Sequence, residues 1–357
     1  MPDQKQRIDV LMGLIQPMSE YKDTFEAHCK ESGPRISTGI LDFDKALNGG
    51  LSNELYIMAA ETSTGKSAFL MHIAQKVAQA GTDVLYFALE MGRDEFVARG
   101  ISSISFEHNR SEKDKCMTAA NVLYWTYDES MQTFTKMSYS MYEKYSDEYF
   151  QRYGSHLHII ESGLGGLSVK DISNMAAVYK KQHKCPVVVF VDYMQIVKAD
   201  PDDRSQTDRK TKTDIVVTTL KTLASQIGMP VVTISSISRA NYSGTINTSA
   251  FKESGDTEYT GGVLIGWNWR GVTDKKNEDE QNKEREDCKK RGWRKMVLDV
   301  LKYRNSERDQ RVSLRYYPAY NYFEEAECDW DDYEDVMEEI SKKPAISYDF
   351  SKNRRKK

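Results

Sequence analysis

Gly65, Lys66 and Ser67 follow the apolar run "ELYIMAA" (54–60) after four intervening residues and lead into "AFLMHIAQKVAQAG". A lysine and a hydroxyl between a strand and a helix are the parts of a phosphate site. Successive N–H groups point into one cavity, the lysine reaches the β- and γ-phosphates, and the hydroxyl takes Mg²⁺ at the helix N-terminus. The expected cradle runs through Ala60, Glu61, Thr62, Ser63, Thr64, Gly65, Lys66, Ser67 and Ala68, and the expected ligands are ATP and Mg²⁺. Ala60 replaces the glycine usual at the first position; a small residue suffices there if its φ is negative.

Hydrolysis needs two further groups, an acidic anchor for the metal and a base for water. Asp192 closes the apolar run "VVVFVD" and Glu90 closes "VLYFALE". Each carboxylate would then sit at the C-terminal end of a buried strand, where open α/β sheets bind ligands. Asp192 is the candidate metal anchor, with Ser67, partly through water, and Glu90 the candidate base. A cap or a surface carboxylate is the bland alternative for each.

The elements that must hold these groups read as strands alternating with helices. Apolar runs at 54–60, 83–89, 186–193, 230–235 and 261–267 are rich in β-branched and aromatic residues, as strands buried on both faces are. Amphipathic helical patterns separate them, so an α/β fold with a mostly parallel central sheet flanked by helices is expected. Residues 106–155 read as a helical insertion on the outside. Residues 274–295, "DKKNEDEQNKEREDCKKRGWRK", have almost no apolar content and read as a solvated loop. "KMVLDVLKYRN" and "RVSLRYYP" read as a C-terminal β-hairpin, and 331–357 as a tail. Ahead of all this, Ile8, Leu11, Met12, Ile15 and Met18 form a helical stripe interrupted after Pro17; it packs either on its own domain or on a neighbouring subunit.

Bulk composition narrows the classes. The chain has 357 residues, 39% apolar and 29% charged, with a net charge of −4. No apolar run approaches the roughly 18 residues of a membrane span. An acidic balance argues against coating nucleic acid by bulk charge, so any such contact must be local. Five cysteines without a CxxC pair and six scattered histidines suggest neither a disulfide framework nor a protein-built metal site, although His156 and His158 would share a strand face. The N-terminal residues lack the features of a secretory signal, so the cytoplasm is the expected compartment.

In order along the chain, "STGILDFDKALNGGLSNELYIMAAETSTGKSAF", "FALEMGRDEFVAR", "VVVFVDYMQIV", "PVVTISSISR", "FKESGDTEYTGGVLI" and "LKYRN" resemble the C-terminal motor domain of DnaB-type replicative helicases, a RecA-like P-loop fold. The resemblance runs from about Gly33 to Phe323 outside the two insertions, and that family commonly has alanine at the first loop position. It implies Lys66 and Ser67 as phosphate and Mg²⁺ contacts, Glu90 as catalytic glutamate, Asp192 as Walker B aspartate and Arg99 as an arginine near the base. Lys302 and Arg304 match a lysine and arginine finger that reach the neighbouring subunit's γ-phosphate, which implies a ring, a hexamer in that family. Single-stranded DNA would meet two loops, one with Arg204, Arg209, Lys210 and Lys212, the other with Lys252, Glu253, Ser254 and Gly255. A loader or other replication proteins would be further partners.

Two departures stand out. Ser236 occupies the place of the family's γ-phosphate-sensing glutamine and cannot offer a carboxamide. The family's N-terminal helical domain is missing from this sequence, which leaves residues 1–34 as helix and linker, with docking on the adjacent subunit the leading expectation, before an ATPase domain at 35–330. The expected activity is an ATP-dependent DNA helicase or single-strand translocase. The alternative is a RecA-like ATPase used as a regulatory or assembly module, as in KaiC-like or RadA-like proteins; a partner that binds ATP without turnover is disfavoured by Lys66, Glu90 and Asp192.

Overall fold

A computed structural model describes residues 12, 17–31, 35–124, 126–128, 133–135, 139–162, 166–199, 209–237, 244–248, 250–251, 262–275, 277–303 and 310–327. Two compact units divide the chain, Met1–Arg35 and Ile36–Lys357. In the first, helix α1 spans Met18–Glu31. Met12 is helical and Pro17 precedes α1, its carbonyl accepting the N–H of Glu20. A proline is tolerated at a helix start because the first N–H groups have no partner within the helix. The stripe expected over 6–18 lies outside the described residues except at Met12, Pro17 and Met18.

The second unit is built on a nine-stranded sheet. Its strands are β1 (Leu55–Ala60), β2 (Asp83–Ala88), β5 (Leu157–Glu161), β6 (Val187–Asp192), β7 (Val231–Ser236), β8 (Val263–Trp269), β9 (Arg294–Tyr303), β10 (Gln310–Tyr317) and β11 (Tyr322–Glu325). The spatial order is β11-β10-β9-β8-β1-β7-β6-β2-β5. Neighbours from β8 across to β5 run parallel, and β9 to β11 add an antiparallel margin. The expected strands and the C-terminal hairpin are therefore present, while β5 and β11 are strands that apolar patterning does not single out. β5 has partly exposed residues along its length, so it lacks the unbroken apolar run of its neighbours.

Alternation along β1 explains why every residue of "LYIMAA" is buried. Tyr56, Met58 and Ala60 enter one core with helix α3 (Lys66–Gln79). Leu55, Ile57 and Ala59 enter the other with α7 (Val169–His183) and α8 (Arg209–Ile227). Both faces being covered, the strand needs apolar side chains at every position. A short helix α2 (Leu41–Ala46) adds Phe43 to the first core.

The insertion expected to be helical is only partly so. Helix α4 (Arg93–Asn109) is followed by α5 (Ala119–Leu123), a two-stranded ladder β3 (Thr126–Asp128) with β4 (Thr133–Thr135), and α6 (Tyr139–Tyr153). Threonine and aromatic residues in "TYD" and "TFT" favour the ladder. A satellite core of Ile101, Ile104, Met117, Tyr145, Tyr149 and Tyr153 attaches α6 to α4. Gly100 permits this, since a Cβ there would overlap the Tyr149 ring. A cavity of about 710 Å³ remains between α4, α5 and α6.

A larger correction concerns 274–295, where composition predicts a solvated loop. Glu278–Arg291 form helix α9. The Asn277 side chain accepts the Asp279 N–H at 2.9 Å, and Gly292 ends the helix at φ 83. Acidic residues fill its first turn and basic residues its last, the order that suits the helix dipole. Cys288 is its buried anchor. Low apolar content conceals a helix stabilised by caps, charge order and one core contact.

His156 and His158 hold no metal geometry; His156 Nδ1 lies 2.7 Å from Asp83 Oδ1, and His158 Nε2 lies 2.9 Å from the Tyr179 hydroxyl. The four described cysteines, Cys29, Cys116, Cys185 and Cys288, are free.

Trp267 ties the sheet to α3: it is fully buried and stacked on Phe69 with ring centroids 4.5 Å apart. Trp267→Ala is expected to lower unfolding free energy by about 3–5 kcal/mol, measured by urea denaturation followed by circular dichroism.

Candidate nucleotide site

β1 occupies the middle of the sheet, between β8 and β7, so its C-terminal end opens beside the ends of both. Ala60 pairs with Ser236 and with Trp267 and is fully buried. It is absent from the positive-φ positions, so alanine meets the local need without glycine's freedom. Ser63 then turns at φ 63 and Gly65 at φ 95, and α3 begins at Lys66.

The loop is held from inside and from the side. Thr64 Oγ1 donates to the Glu61 carbonyl at 2.8 Å, and Trp267 Nε1 donates to the Thr64 carbonyl at 3.2 Å. From β9, Arg294 Nη1 donates to the Ser63 carbonyl at 2.9 Å while its guanidinium lies over the Trp269 ring. A Cβ on Gly65 would meet the Tyr316 ring of β10 at 2.5 Å. Burial pushes the Glu61 carboxyl up, opposed by the charge of Arg285 on α9. The loop therefore rests on β8, β9 and β10, elements far from it in sequence.

Lys66 Nζ donates to Ser236 Oγ at 2.5 Å and lies 5.4 Å from the Tyr193 ring centroid. Burial lowers its pKa, while Glu90 and Asp192 favour its charged form. Asp192 is 1% exposed. Ser67 Oγ donates to its Oδ1 at 3.2 Å and the Tyr86 hydroxyl to its Oδ2 at 3.0 Å. Burial raises the Asp192 pKa, and the Glu90 charge raises it further; the two hydroxyl donors and Lys66 pull the other way. Glu90 follows β2, exposed, beside Leu89, whose N–H donates to the Asp192 carbonyl at 3.1 Å. The two carboxylates thus leave adjacent strands side by side.

A serine hydroxyl and a carboxylate form an oxygen donor set of the kind Mg²⁺ takes, with phosphate oxygens and water completing its shell. Ser67 and Asp192 are the residues that fit it. Among the described residues no group of three or more His, Cys, Asp and Glu side chains gathers as a metal cage.

Arg99 of α4 donates to Glu95 at 2.5 Å, and its charge is felt at the hydroxyls of Tyr86 and Tyr316. Lys302 is not brought to this site. It pairs with Leu264, toward the N-terminal ends of β8 and β1, while the loop leaves β1 beside Trp267. Arg209, Lys210 and Lys212, expected on a loop, stand instead in the first turn of α8, with Lys210 exposed and Lys212 partly so. Arg204, Lys252, Glu253, Ser254, Gly255 and Arg304 lie outside the described residues.

Sequence reasoning missed the groups that serve the site from elsewhere, Tyr86, Trp267, Arg294 and Tyr316, and it missed Gln195 behind Ser236. The Gln195 carboxamide contacts Ser235 and Ser236 at 2.9–3.3 Å. Only Gln195 had a signal, its place three residues after Asp192 in "DYMQ".

Residues 35–325 match a family model described as the DnaB-like helicase C-terminal domain. A replicative DNA helicase DnaB of Haemophilus influenzae is 26% identical over 235 residues, spanning 65% of this chain and 44% of the relative. The corresponding protein of a Synechocystis species is 29% identical over 237 residues, 64% of this chain and 24% of its own. The replicative DNA helicase DnaC of Bacillus subtilis is 26% identical over 205 residues, with 57% and 40% covered. The chain therefore spans less than half the length of these relatives. Among solved structures, one described as an ATPase domain aligns with a TM-score of 0.65 at 19% identity, covering 88% of this chain and all of that one. A DnaB-like replicative helicase, solved in a study of its interactions with primase, aligns at 0.66 and 19%, with 90% and 71% covered.

Two substitutions probe the geometry. Gly65→Ala places a methyl group against Tyr316 at a positive φ and is expected to weaken binding of a fluorescent ATP analogue by about tenfold or more, since 1.4 kcal/mol suffices for tenfold. Tyr86→Phe removes a donor that lowers the Asp192 pKa. A raised pKa means protonation, and loss of the carboxylate, at higher pH as the solution is acidified. The acidic limb of Mg²⁺-dependent ATP turnover should therefore move to higher pH in Tyr86→Phe, read from a pH–rate profile.

Proposed function

The chain belongs to the DnaB-like helicase C-terminal domain family, and from that premise we propose that it is an ATP-dependent DNA helicase or single-stranded DNA translocase working as a homo-oligomeric ring. Its fold is the RecA-like ATPase arrangement, a mostly parallel sheet flanked by helices with an antiparallel C-terminal margin. The observation that carries the reading is the meeting of Lys66, Ser67, Asp192 and Ser236 at one end of β1, with Glu90 close by and Lys302 at the other end of the sheet.

In this reading, Lys66 takes phosphate charge in a pocket where water screens little, so each contact is worth more than in solution. Mg²⁺, when bound through Ser67 and Asp192, would neutralise charge on the β- and γ-phosphates. Glu90, exposed beside that carboxylate, orients and deprotonates the attacking water. Lys302 lies at the far end of the strands from its own loop, so it and Arg304 serve the site of a neighbouring copy and put hydrolysis at a subunit interface. Arg99 lies nearer the nucleotide base. Arg204, Arg209, Lys210 and Lys212, with the loop carrying Lys252 to Gly255, track a single strand by its phosphates without reading bases. The N-terminal stripe at 6–18 docks on the adjacent copy. Six protomers, a loader and replication partners complete the proposal.

No described helix is long and apolar enough to cross a membrane, and a cytoplasmic location is proposed. The curated relatives named above are replicative helicases, which sets the regulatory-module alternative behind this one.

Single-stranded DNA should stimulate ATP hydrolysis several-fold, and Glu90→Gln should cut turnover by roughly a hundredfold while ATP binding persists. Arg304→Ala subunits mixed with Glu90→Gln subunits should recover part of the activity at mixed interfaces. A fast ATPase indifferent to DNA would sink the motor reading, and absence of recovery would sink the finger in trans.

A further inference from the structure

Ser236 lacks the carboxamide that the resemblance places at its position, yet a carboxamide is present at that spot from another element. β6 and β7 are paired only from Val189 with Val231 to Val191 with Thr233. Beyond Thr233, whose hydroxyl still donates to the Val191 carbonyl, the strands have no further ladder. Gln195, on the single turn Met194–Ile196 that follows β6, spans that gap. Its Nε2 donates to Ser235 Oγ at 2.9 Å and to the Ser236 carbonyl at 3.2 Å, and its Oε1 accepts the Ser236 N–H at 3.3 Å. One donor and one acceptor in a plane imitate a peptide unit, so this side chain extends the sheet by one step.

The clamp meets the phosphate lysine through one atom. Ser236 Oγ accepts from Lys66 Nζ at 2.5 Å, and the backbone of Ser236 is held on its other side by Ala60. Ser236 thus stands between the loop and Gln195. The turn bearing Gln195 continues through Val197 and Ala199, both buried, into residues 200–208 and the basic start of α8. An ammonium has three protons and one goes to Ser236, so a nucleotide phosphate that takes the others draws Lys66, and with it the contact to Ser236, toward itself.

We infer that Gln195 is a positioning residue that transmits phosphate occupancy from Lys66 and Ser236 to the segment leading into the first DNA loop. Ser236 makes the contact with the lysine and Gln195 carries its displacement across the break between β7 and β6. This rests on the motor reading above, in which residues 204–212 touch DNA. Two adjacent serines and one glutamine from the preceding strand exit do what a single longer side chain at position 236 would do alone.

The experiment compares single-stranded oligonucleotide affinity, by fluorescence anisotropy, in the presence of a non-hydrolysable ATP analogue and of ADP, for wild type, Gln195→Met and Gln195→Glu. Binding of a fluorescent ATP analogue with Mg²⁺ and the melting temperature are measured alongside. Wild type should show a several-fold ratio between the two nucleotide states. Gln195→Met keeps the length and removes the hydrogen bonds, so its ratio should collapse to unity while nucleotide affinity stays within about threefold, less than 1 kcal/mol. Gln195→Glu keeps an acceptor for the Ser236 N–H but loses both donations, so its ratio should fall between the two, which keeps the test informative if the Met variant fails to fold.

A wild-type ratio preserved in either variant overturns the inference alone. A ratio lost only in step with nucleotide affinity or with melting temperature also overturns it, in favour of a structural brace. A wild type whose DNA binding ignores the nucleotide overturns the motor reading itself.

Discussion

Asp192 and Lys66 are two opposite charges held at the C-terminal ends of interior strands in a sheet covered on both faces, and the surrounding structure follows from that. A buried ion is costly unless it is paired and hydrogen-bonded. Tyr86 and Ser67 therefore reach the carboxylate, and Ser236 reaches the ammonium. These partners come from β2, α3 and β7, so the charges can exist only where those elements meet. The same burial that threatens the Lys66 ammonium strengthens its pull on an anion such as the phosphate proposed for this site, because little water is left to screen it.

The strands from β8 to β10 act at both ends of this arrangement. At one end Trp267, Arg294 and Tyr316 brace the phosphate loop. Toward the other end Lys302 stands next to last in β9, just after a register shift beside Leu264 that re-aims the strand. Between the ends, the buried Asp299 carboxylate accepts from Arg311 Nε at 3.0 Å and from Asn268 Nδ2 at 2.7 Å. Asn268 Oδ1 in turn accepts the Ile246 N–H at 3.0 Å, tying the approach to the second loop to the same strands. In a close-packed interior such connected groups shift together, since there is no free volume to absorb a local change.

Much of this is legible from residue order. The run "ELYIMAA" before GKS, with Asp192 and Glu90 ending apolar runs, marks the candidate phosphate site because strand-end carboxylates in a parallel sheet gather at one end of it. What stays hidden does so for physical reasons. β5 is an edge strand with mixed exposure, so no apolar run marks it. α9 is stabilised by caps and charge order rather than by an apolar face, so its composition resembles that of a solvated loop.

By itself the sequence determined the chemistry available at each strand end and the order in which strands and helices alternate, because burial on both faces demands apolar runs and catalysis demands particular side chains. Only the tertiary structure decided which distant residues share a contact. That Trp267 supports Thr64, that Tyr86 serves Asp192, that Lys302 stands at the far end of the strands from its own loop and that Gln195 supplies a carboxamide beside Ser236 all depend on strand order and register. Those are set by how whole faces pack, which no local pattern records.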